Sequence, residues 1–222
     1  MTKIQSESPI KIACIQMEPR VGMKAQNLQK TLALIDKAAD NNAKLIVLPE
    51  LCNSGYVFET RDEAFALAEE IPDGPTTKAW SEAAARHGAY IVAGICEGEG
   101  NRLFNSAVIV GPTGYIGTFR KVHLWNEENN FFEPGNLGFP VFHTPIGRIA
   151  SFICYDGWFP ESYRLCALGG ADIISDLVRH TIKAIQWGES LGGWTALPES
   201  DIFAIEYWEL EQAKLRKGPA RK

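Results

Sequence analysis

Apolar and polar positions alternate with two different rhythms along most of this chain, and the rhythms separate strands from helices. Ile10 to Gln16 is a short apolar run broken at Pro19 and Gly22, after which Leu28, Leu32, Ile35 and Ala39 recur at intervals of four, three and four residues. That spacing predicts a helix from about Lys24 to Asp40 with one apolar stripe, ended by Asn41 and Asn42. Ala43 to Leu48 is almost continuously apolar, the mark of a strand covered on both faces, and it stops at Pro49. After a polar loop, Pro75 and Thr76 open a second helix that runs to His87, with Trp80, Ala83 and Ala84 on one side and Gly88 just past its end.

Three β-rich runs follow, Ala89 to Ile95, Phe104 to Val110 and Tyr115 to Arg120, the last two joined by the turn Gly111-Pro112-Thr113-Gly114. A second hairpin is predicted over Val141 to Thr144 and Arg148 to Ile153, with Pro145 and Gly147 between its arms and Cys154 at its far end. Pro160 suits a first helical position, Gly169-Gly170 ends that helix, and Ala171 to Ser175 reads as one more strand. Strands alternating with helices and then pairing with each other give an α/β class with a mixed sheet. From about Asp176 the rhythm changes. Leu177 to Trp187 reads as an amphipathic helix, Gly192-Gly193 and Pro198 break the chain, and Asp201 caps a final helix to Arg216. The expected organisation is a polar extension over residues 1–9, an α/β domain over 10–175 and a mainly helical segment over 176–222.

Composition narrows the partners more than the fold. With 45% hydrophobic and 22% charged residues the chain is an ordinary globular protein, and its length is enough for a core that needs no disulfide or metal. A net charge of -5 removes the basis for nucleic-acid binding; the five Lys and Arg residues between Lys214 and Lys222 read as a solvated tail. The five cysteines, Cys14, Cys52, Cys96, Cys154 and Cys166, are an odd number without a C-x-x-C pair, which argues for reduced thiols. No stretch approaches the ~18 apolar residues of a membrane span and Met1 to Pro9 has no apolar leader core. A cytoplasmic protein with no membrane partner is the expectation.

Candidate chemistry gathers where buried strands end, the usual place for reactive groups in open α/β sheets. Glu50 follows Leu45 to Pro49, Lys121 follows Gly117 to Arg120, and Cys154 follows Ile149 to Ile153. A charge set directly after a buried run is costly unless it is paired, so an acid, a base and a thiol in these places call for one another. Singly, each has a plainer explanation: a solvated loop acid, an edge-strand lysine, a small buried hydrophobe. A cysteine-histidine hydrolase would need an imidazole beside Cys154, and of His87, His123, His143 and His180 only His123 lies near the other candidates, where a structural histidine is the simpler reading. No two histidines stand at metal-ligand spacing. Cys52 and Cys166 read as packing thiols, Asp156 either tunes the site or caps the following segment, and Trp158 and Phe159 either line a pocket or belong to the core.

LPE at Glu50, RKVHL at Lys121 and CYDGWFPE at Cys154 resemble the three signature segments of the nitrilase superfamily of carbon-nitrogen hydrolases. Gln16, Gly74-Pro75, Phe104-Asn105-Ser106-Ala107 and Phe132-Glu133-Pro134-Gly135 fall where that family has supporting segments, so the resemblance covers roughly residues 10 to 175. It implies an α-β-β-α sandwich in which Cys154, as thiolate, attacks an amide or nitrile carbon. In that scheme Glu50 serves as general acid and base, Lys121 and the backbone N–H of Tyr155 stabilise the oxyanion, and no metal or cofactor takes part. Glu128 matches the family's second glutamate through the spacing Glu128-Asn129-Asn130-Phe131-Phe132, and Trp158 is a candidate for substrate contact. Cys-Tyr-Asp resembles the amidase and carbamoylase branches, which implies a small amide or N-carbamoyl substrate, and the resemblance to the family as a whole implies a homo-oligomer. A true nitrilase is one alternative. Another is an inactive or truncated member serving as a binding or structural subunit, since the family's continuation is not recognisable after about residue 175.

Overall fold

A computed structural model of the chain describes residues 10–177 and the backbone of residues 205–210. In chain order the strands and helices are β1 Ile10–Ile15, α1 Lys24–Asp40, β2 Ala43–Val47, α2 Arg61–Leu67, α3 Pro75–His87, β3 Tyr90–Glu99, β4 Arg102–Gly111, β5 Gly114–Arg120, β6 Val141–Thr144, β7 Gly147–Ile153, α4 Pro160–Leu168, β8 Ile173–Leu177 and β9 Ile205–Leu210. Short 3-10 turns occupy Asn126–Asn130 and Cys154–Trp158. The strands form a six-stranded sheet, β5-β4-β3-β2-β1-β9, and a three-stranded sheet, β6-β7-β8. β1, β2 and β3 run parallel and the two hairpin arms run antiparallel, so the larger sheet is mixed.

Side-chain alternation along the strands explains the layering. One face of the large sheet, with Ala13, Ile15, Ile46, Ile91, Ala93, Val108 and Val110, packs against Ile35 and Ala38 of α1 and Trp80, Ala83 and Ala84 of α3. The other face, with Ile12, Leu45, Val92, Ala107, Ile109 and Phe119, packs against Ile149, Ala150, Phe152, Ile153 and Ile173 of the small sheet. α4 covers the small sheet, with Cys166 buried and the Tyr163 ring edge-on to Phe152 at 4.8 Å. Two sheets between helices make an α-β-β-α sandwich.

Several elements depart from the sequence expectation. The most buried face of α1 is Asn27, Thr31, Ile35 and Ala38, while Leu28, Leu32 and Ala39 are only partly covered. Polar side chains win the inward positions because each is fully engaged. Asn27 Nδ2 donates to Arg20 O at 2.7 Å and Asn53 O at 3.0 Å, and Thr31 Oγ1 accepts from Trp80 Nε1 at 3.0 Å. α2 sits inside the segment read as a polar loop; seven residues are too few for a periodicity, yet Thr60 caps it by accepting from Glu63 N at 3.1 Å. β9 corrects the final helix expected from Asp201 to Arg216: Ile205–Leu210 is a strand, antiparallel to β1 with Ile10 opposite Leu210 and Ile15 opposite Ile205. Pairing with β1 satisfies backbone groups that an edge would leave open, and Ile205, Tyr207 and Trp208 are β-prone. The extension over 1–9, the helix expected over Leu177 to Trp187 beyond Leu177, the remainder of the final helix and the basic cluster ending at Lys222 lie outside the described residues. Among the described residues no helix is long and apolar enough to cross a membrane.

Candidate active site

Glu50 is placed by a chain that continues past β2 and folds over β3. Leu48 N donates to Val92 O at 2.8 Å, Gly94 N to Pro49 O at 3.1 Å and Cys52 N to Gly94 O at 3.1 Å, so the turn lies flat on the strand. A Cβ at Gly94 would meet Pro49 O and Leu51 N at 2.5 Å and Glu50 Cα at 2.6 Å, all of them backbone. Gly94→Ala is therefore expected to cost about 1–3 kcal/mol of stability by overpacking, and to lower activity through the displaced Glu50; urea unfolding with a parallel rate assay checks both. Lys121 directly follows β5, with its N–H donating to Asn105 O at 2.8 Å and its carbonyl accepting from Gly135 N at 2.8 Å.

These two elements bring three of the expected residues into one buried cluster. Lys121 Nζ lies 2.7 Å from Glu50 Oε1 and 2.9 Å from Glu128 Oε1, with side-chain exposures of 0%, 1% and 4% for the lysine, Glu50 and Glu128. Asn105 Nδ2 donates to the same two oxygens at 2.8 and 3.2 Å. Glu128 Oε2 accepts from Trp125 N at 2.7 Å, and the Tyr56 hydroxyl also hydrogen-bonds the Glu128 carboxylate. Glu50 Oε2 is buried without a hydrogen-bond partner among the described residues.

Cys154 begins the 3-10 turn after β7 with φ at +49°, a left-handed conformation that a non-glycine residue keeps only when its surroundings enforce it. Two carboxylates do the enforcing. Asp176 Oδ1 on β8 accepts from Cys154 N at 2.8 Å. The fully buried Asp156 accepts from Ile153 N at 3.3 Å and from His123 N at 2.8 Å, and His123 Nδ1 lies 2.7 Å from it. Asp156 thus does more than cap: it fastens the segment after Lys121 to the turn that carries the thiol. His123 is occupied by that contact and by stacking on Phe159 at 3.9 Å, which agrees with a structural histidine.

Electrostatics assign the resting charges. Burial, followed by repulsion from Glu128, raises the Glu50 carboxyl to about 7 in spite of Lys121 and Asn105. Burial alone would pull the Lys121 ammonium down, but Glu50 and Glu128 outweigh it and hold the ammonium above its ordinary value. Burial and then the Glu50 charge push the Cys154 thiol up to about 12, with Asp176 and Glu128 adding to Glu50 and only Lys121 opposing. A thiol held that high rests as S–H at neutral pH, so the thiolate of the expected attack needs a base to take its proton. Burial also pushes the Asp176 carboxyl up to about 6.

Beside Glu128 opens a cavity of about 140 Å³, bounded by Tyr56, Phe58, Trp125, Glu127 and Phe131. Trp158 is 77% exposed and so is no core residue; it stands 6.4 Å from Trp125 and 6.1 Å from Tyr155 but does not line the cavity. Cys52 and Cys166 are buried packing thiols. Among the described residues no group of three or more His, Cys, Asp or Glu side chains could hold a metal ion. In the sequence Asn105 is read only as part of a supporting segment, and Tyr56 and Asp176 are not singled out as site residues. A polar Asn in the apolar run Leu103 to Val110 was the available signal for the first; neither of the others stands out without the fold.

The profile of the carbon-nitrogen hydrolase family matches residues 11–206. A protein named nitrilase from Pyrococcus abyssi is 48% identical over 166 residues, covering 75% of this chain and 63% of that one. A citrullinase from Francisella tularensis is 34% identical over 171 residues, covering 74% and 59%. The chain therefore spans about three fifths of the length of these curated relatives. Among solved structures, a carbon-nitrogen hydrolase from Helicobacter pylori G27 superposes with a TM-score of 0.68 at 26% identity, over 77% of this chain and 60% of that one. An amidase from Nesterenkonia sp. superposes at 0.66 with 24% identity, over 77% and 65%, a likeness of fold.

Proposed function

The chain belongs to the carbon-nitrogen hydrolase family, and from that premise we propose that it hydrolyses the carbon-nitrogen bond of a small amide or N-carbamoyl compound, with Cys154 as nucleophile. The observation that carries this reading is the division of labour within one carboxylate. Glu50 Oε1 is pinned by Lys121 and Asn105 while Oε2 is buried and, among the described residues, unengaged, which leaves one oxygen to exchange protons and the other to hold the group still.

Because the thiol rests protonated, attack and proton transfer belong together. As Sγ bonds to the carbonyl carbon, the thiol proton passes to Glu50, and the carbonyl oxygen becomes an oxyanion. Lys121 has three N–H donors, two of which serve Glu50 and Glu128; the third, with the backbone N–H of Tyr155, is available to the oxyanion. Collapse breaks the carbon-nitrogen bond as Glu50 returns its proton to the departing ammonia, leaving a thioester on Cys154. Glu50 then takes a proton from water, the hydroxyl adds to the thioester, and the carboxylic acid leaves as Sγ regains the proton. Glu128 keeps Lys121 centred, and Asn105 joins the two carboxylates.

Names of relatives support an amide or ureido substrate, since an N-carbamoylputrescine amidase from Solanum lycopersicum is 32% identical over 154 residues. A nitrile substrate is the second reading, favoured by the 48% identical relative named nitrilase. The same reading has the chain act without metal or organic cofactor, in the cytoplasm and as a homo-oligomer, with five free thiols consistent with a reducing compartment. Short amides, N-carbamoyl compounds and nitriles incubated with the chain while ammonia is followed test it: release from an amide or carbamoyl compound supports the proposal, and no release by a folded protein rejects it.

Its pH dependence is also expected. Glu50 must be ionised to accept the thiol proton, so kcat/KM climbs as pH rises through about 7. Stability moves the other way. A carboxyl whose folded-state pKa lies above its unfolded value stabilises fully below the unfolded pKa and loses that contribution as pH rises through the folded one. The Glu50 contribution should thus be present near pH 4.5 and be gone above about 7. Thermal unfolding of Glu50→Gln across that range should show a shallower decline with pH than the parent chain.

A further inference from the structure

Back to back with the catalytic cluster lies a second buried group of charges that takes no part in the steps of amide hydrolysis. Arg120 and Glu97 have side-chain exposures of 8% and 5%. Arg120 Nε donates to Glu97 Oε2 at 3.0 Å and Nη2 donates to Glu97 Oε1, a two-pronged pairing. Nη2 also reaches Glu99 Oε1 at 2.9 Å, and Nη1 donates to Asn136 Oδ1 at 2.9 Å. Ser106 Oγ donates to Glu97 Oε2, and the guanidinium lies over the Phe104 ring, 3.9 Å from its centroid. One side chain at the end of β5 thus ties together β3, β4 and the segment that carries Asn136.

Strand register sets Arg120 beside Ser106, and Ser106 beside Ile95, on the face of the sheet that α1 and α3 cover. Asn105 and Lys121, each adjacent in sequence to one of these residues, alternate to the opposite face, where both contact Glu50 and Glu128. The backbone at this step is gripped on both sides. Lys121 N donates to Asn105 O and Gly135 N to Lys121 O, each at 2.8 Å, and a Cβ at Gly135 would collide with Arg120 O. Stability alone gives little reason for the pair, since apolar side chains of similar volume commonly match or better a buried ion pair. What a guanidinium fork adds is geometry, because two parallel hydrogen bonds fix orientation as well as distance.

We propose that Arg120 is a positioning residue for the reaction: anchored on Glu97, Glu99 and Asn136, it fixes the backbone from which Lys121 reaches Glu50 and Glu128, and so holds the ammonium where the oxyanion forms. The proposal rests on the hydrolase reading of the same site, and Arg120 acts only through Lys121. A lysine displaced by about an ångström loses up to about 10²-fold in rate. It also relaxes its hold on two other groups. Because Lys121 pulls down both the Glu50 carboxyl and the Cys154 thiol, its withdrawal raises both.

Arg120→Lys keeps a positive charge beside Glu97 and loses the fork, and three readings of it separate positioning from mere support. Turnover, as kcat for ammonia release, should fall by about tenfold or more with KM within about threefold of the parent value. The acid limb of kcat/KM, which lies at about 7 in the parent chain, should move to higher pH. Alkylation of Cys154 by iodoacetamide at pH 8, followed by mass spectrometry of its peptide, should slow by about threefold or more, since the thiolate loses part of its counter-charge. A site that had only loosened would be alkylated faster. Asn136→Ala, a change at an exposed residue that releases only Nη1, should move each reading in the same direction by about twofold and carries the test if Arg120→Lys does not fold. Unchanged or faster alkylation in either folded variant, or a parental kcat in Arg120→Lys, overturns the inference, while ammonia release by the parent chain leaves the hydrolase reading intact. Slower alkylation in variants of a parent chain that releases no ammonia keeps the positioning of Lys121 and removes the hydrolase reading.

Discussion

Cys154→Ala is expected to lower ammonia release by at least about 10⁴-fold while the chain keeps its far-UV circular dichroism and its unfolding midpoint within narrow limits. The size follows from the covalent route: without sulfur there is no thioester, and what remains is water attack assisted by Lys121 and Glu50 alone. Stability changes little because Cys154 is only half-buried, and the backbone N–H that Asp176 Oδ1 holds at 2.8 Å is unaffected by the side chain. Rapid quenching of the parent chain during turnover, followed by mass spectrometry, should find the acyl mass on the peptide that contains Cys154. An adduct on Cys14 instead, or more than about one hundredth of parental activity in the variant, would reject Cys154 as the nucleophile. The neutral resting thiol adds a kinetic corollary. Alkylation by iodoacetamide at neutral pH should be slower than for a free cysteine, because reagent attack depends on the thiolate fraction.

Legibility in the sequence tracked how local the cause was. Strand ends carrying Glu50, Lys121 and Cys154 could be read because a buried run and its terminating residue are neighbours in the chain. Helix α3 could be read residue by residue because Pro75 starts it and Gly88 ends it in a left-handed conformation. What joins the site across the sheet could not. Asn105 meets Glu50 across 55 positions, and Asp176 meets Cys154 N across 22, contacts set by strand register that nothing near either residue encodes. Asp156 shows the intermediate case: its place two residues after Cys154 suggested a local cap, while its second role, holding His123, needs the β5 chain to pass beside it. The strand β9 reads as helix in the sequence for the same reason, since its partner β1 lies some two hundred residues earlier in the chain.

Lys121→Met should damage both stability and activity, and the two losses should respond differently to pH. The substitution keeps the aliphatic stem but removes the ammonium group that neutralises Glu50 at 2.7 Å and Glu128 at 2.9 Å. Two buried carboxylates would then share only the Asn105 amide. Breaking a buried ion pair by deleting one partner costs about 3–5 kcal/mol because the remaining charge is uncompensated. That cost applies to the charged forms, so the Glu50 pKa should rise further once the lysine's downward pull is lost, and a protonated Glu50 removes much of the penalty. Urea unfolding should accordingly show a large deficit at pH 8 that shrinks at pH 5. Activity should fall by about 10²–10³-fold or more, the usual effect of losing one oxyanion donor, and acid should not restore it, since protonating Glu50 removes the base. Adding Glu128→Gln to Lys121→Met separates the two roles: it takes away one of the opposed charges and should recover stability at pH 8 without recovering turnover. Recovery of both would reduce Lys121 to a structural counter-ion, and recovery of neither would mean that Glu128 holds the 125–132 segment through Trp125 N more than through its charge.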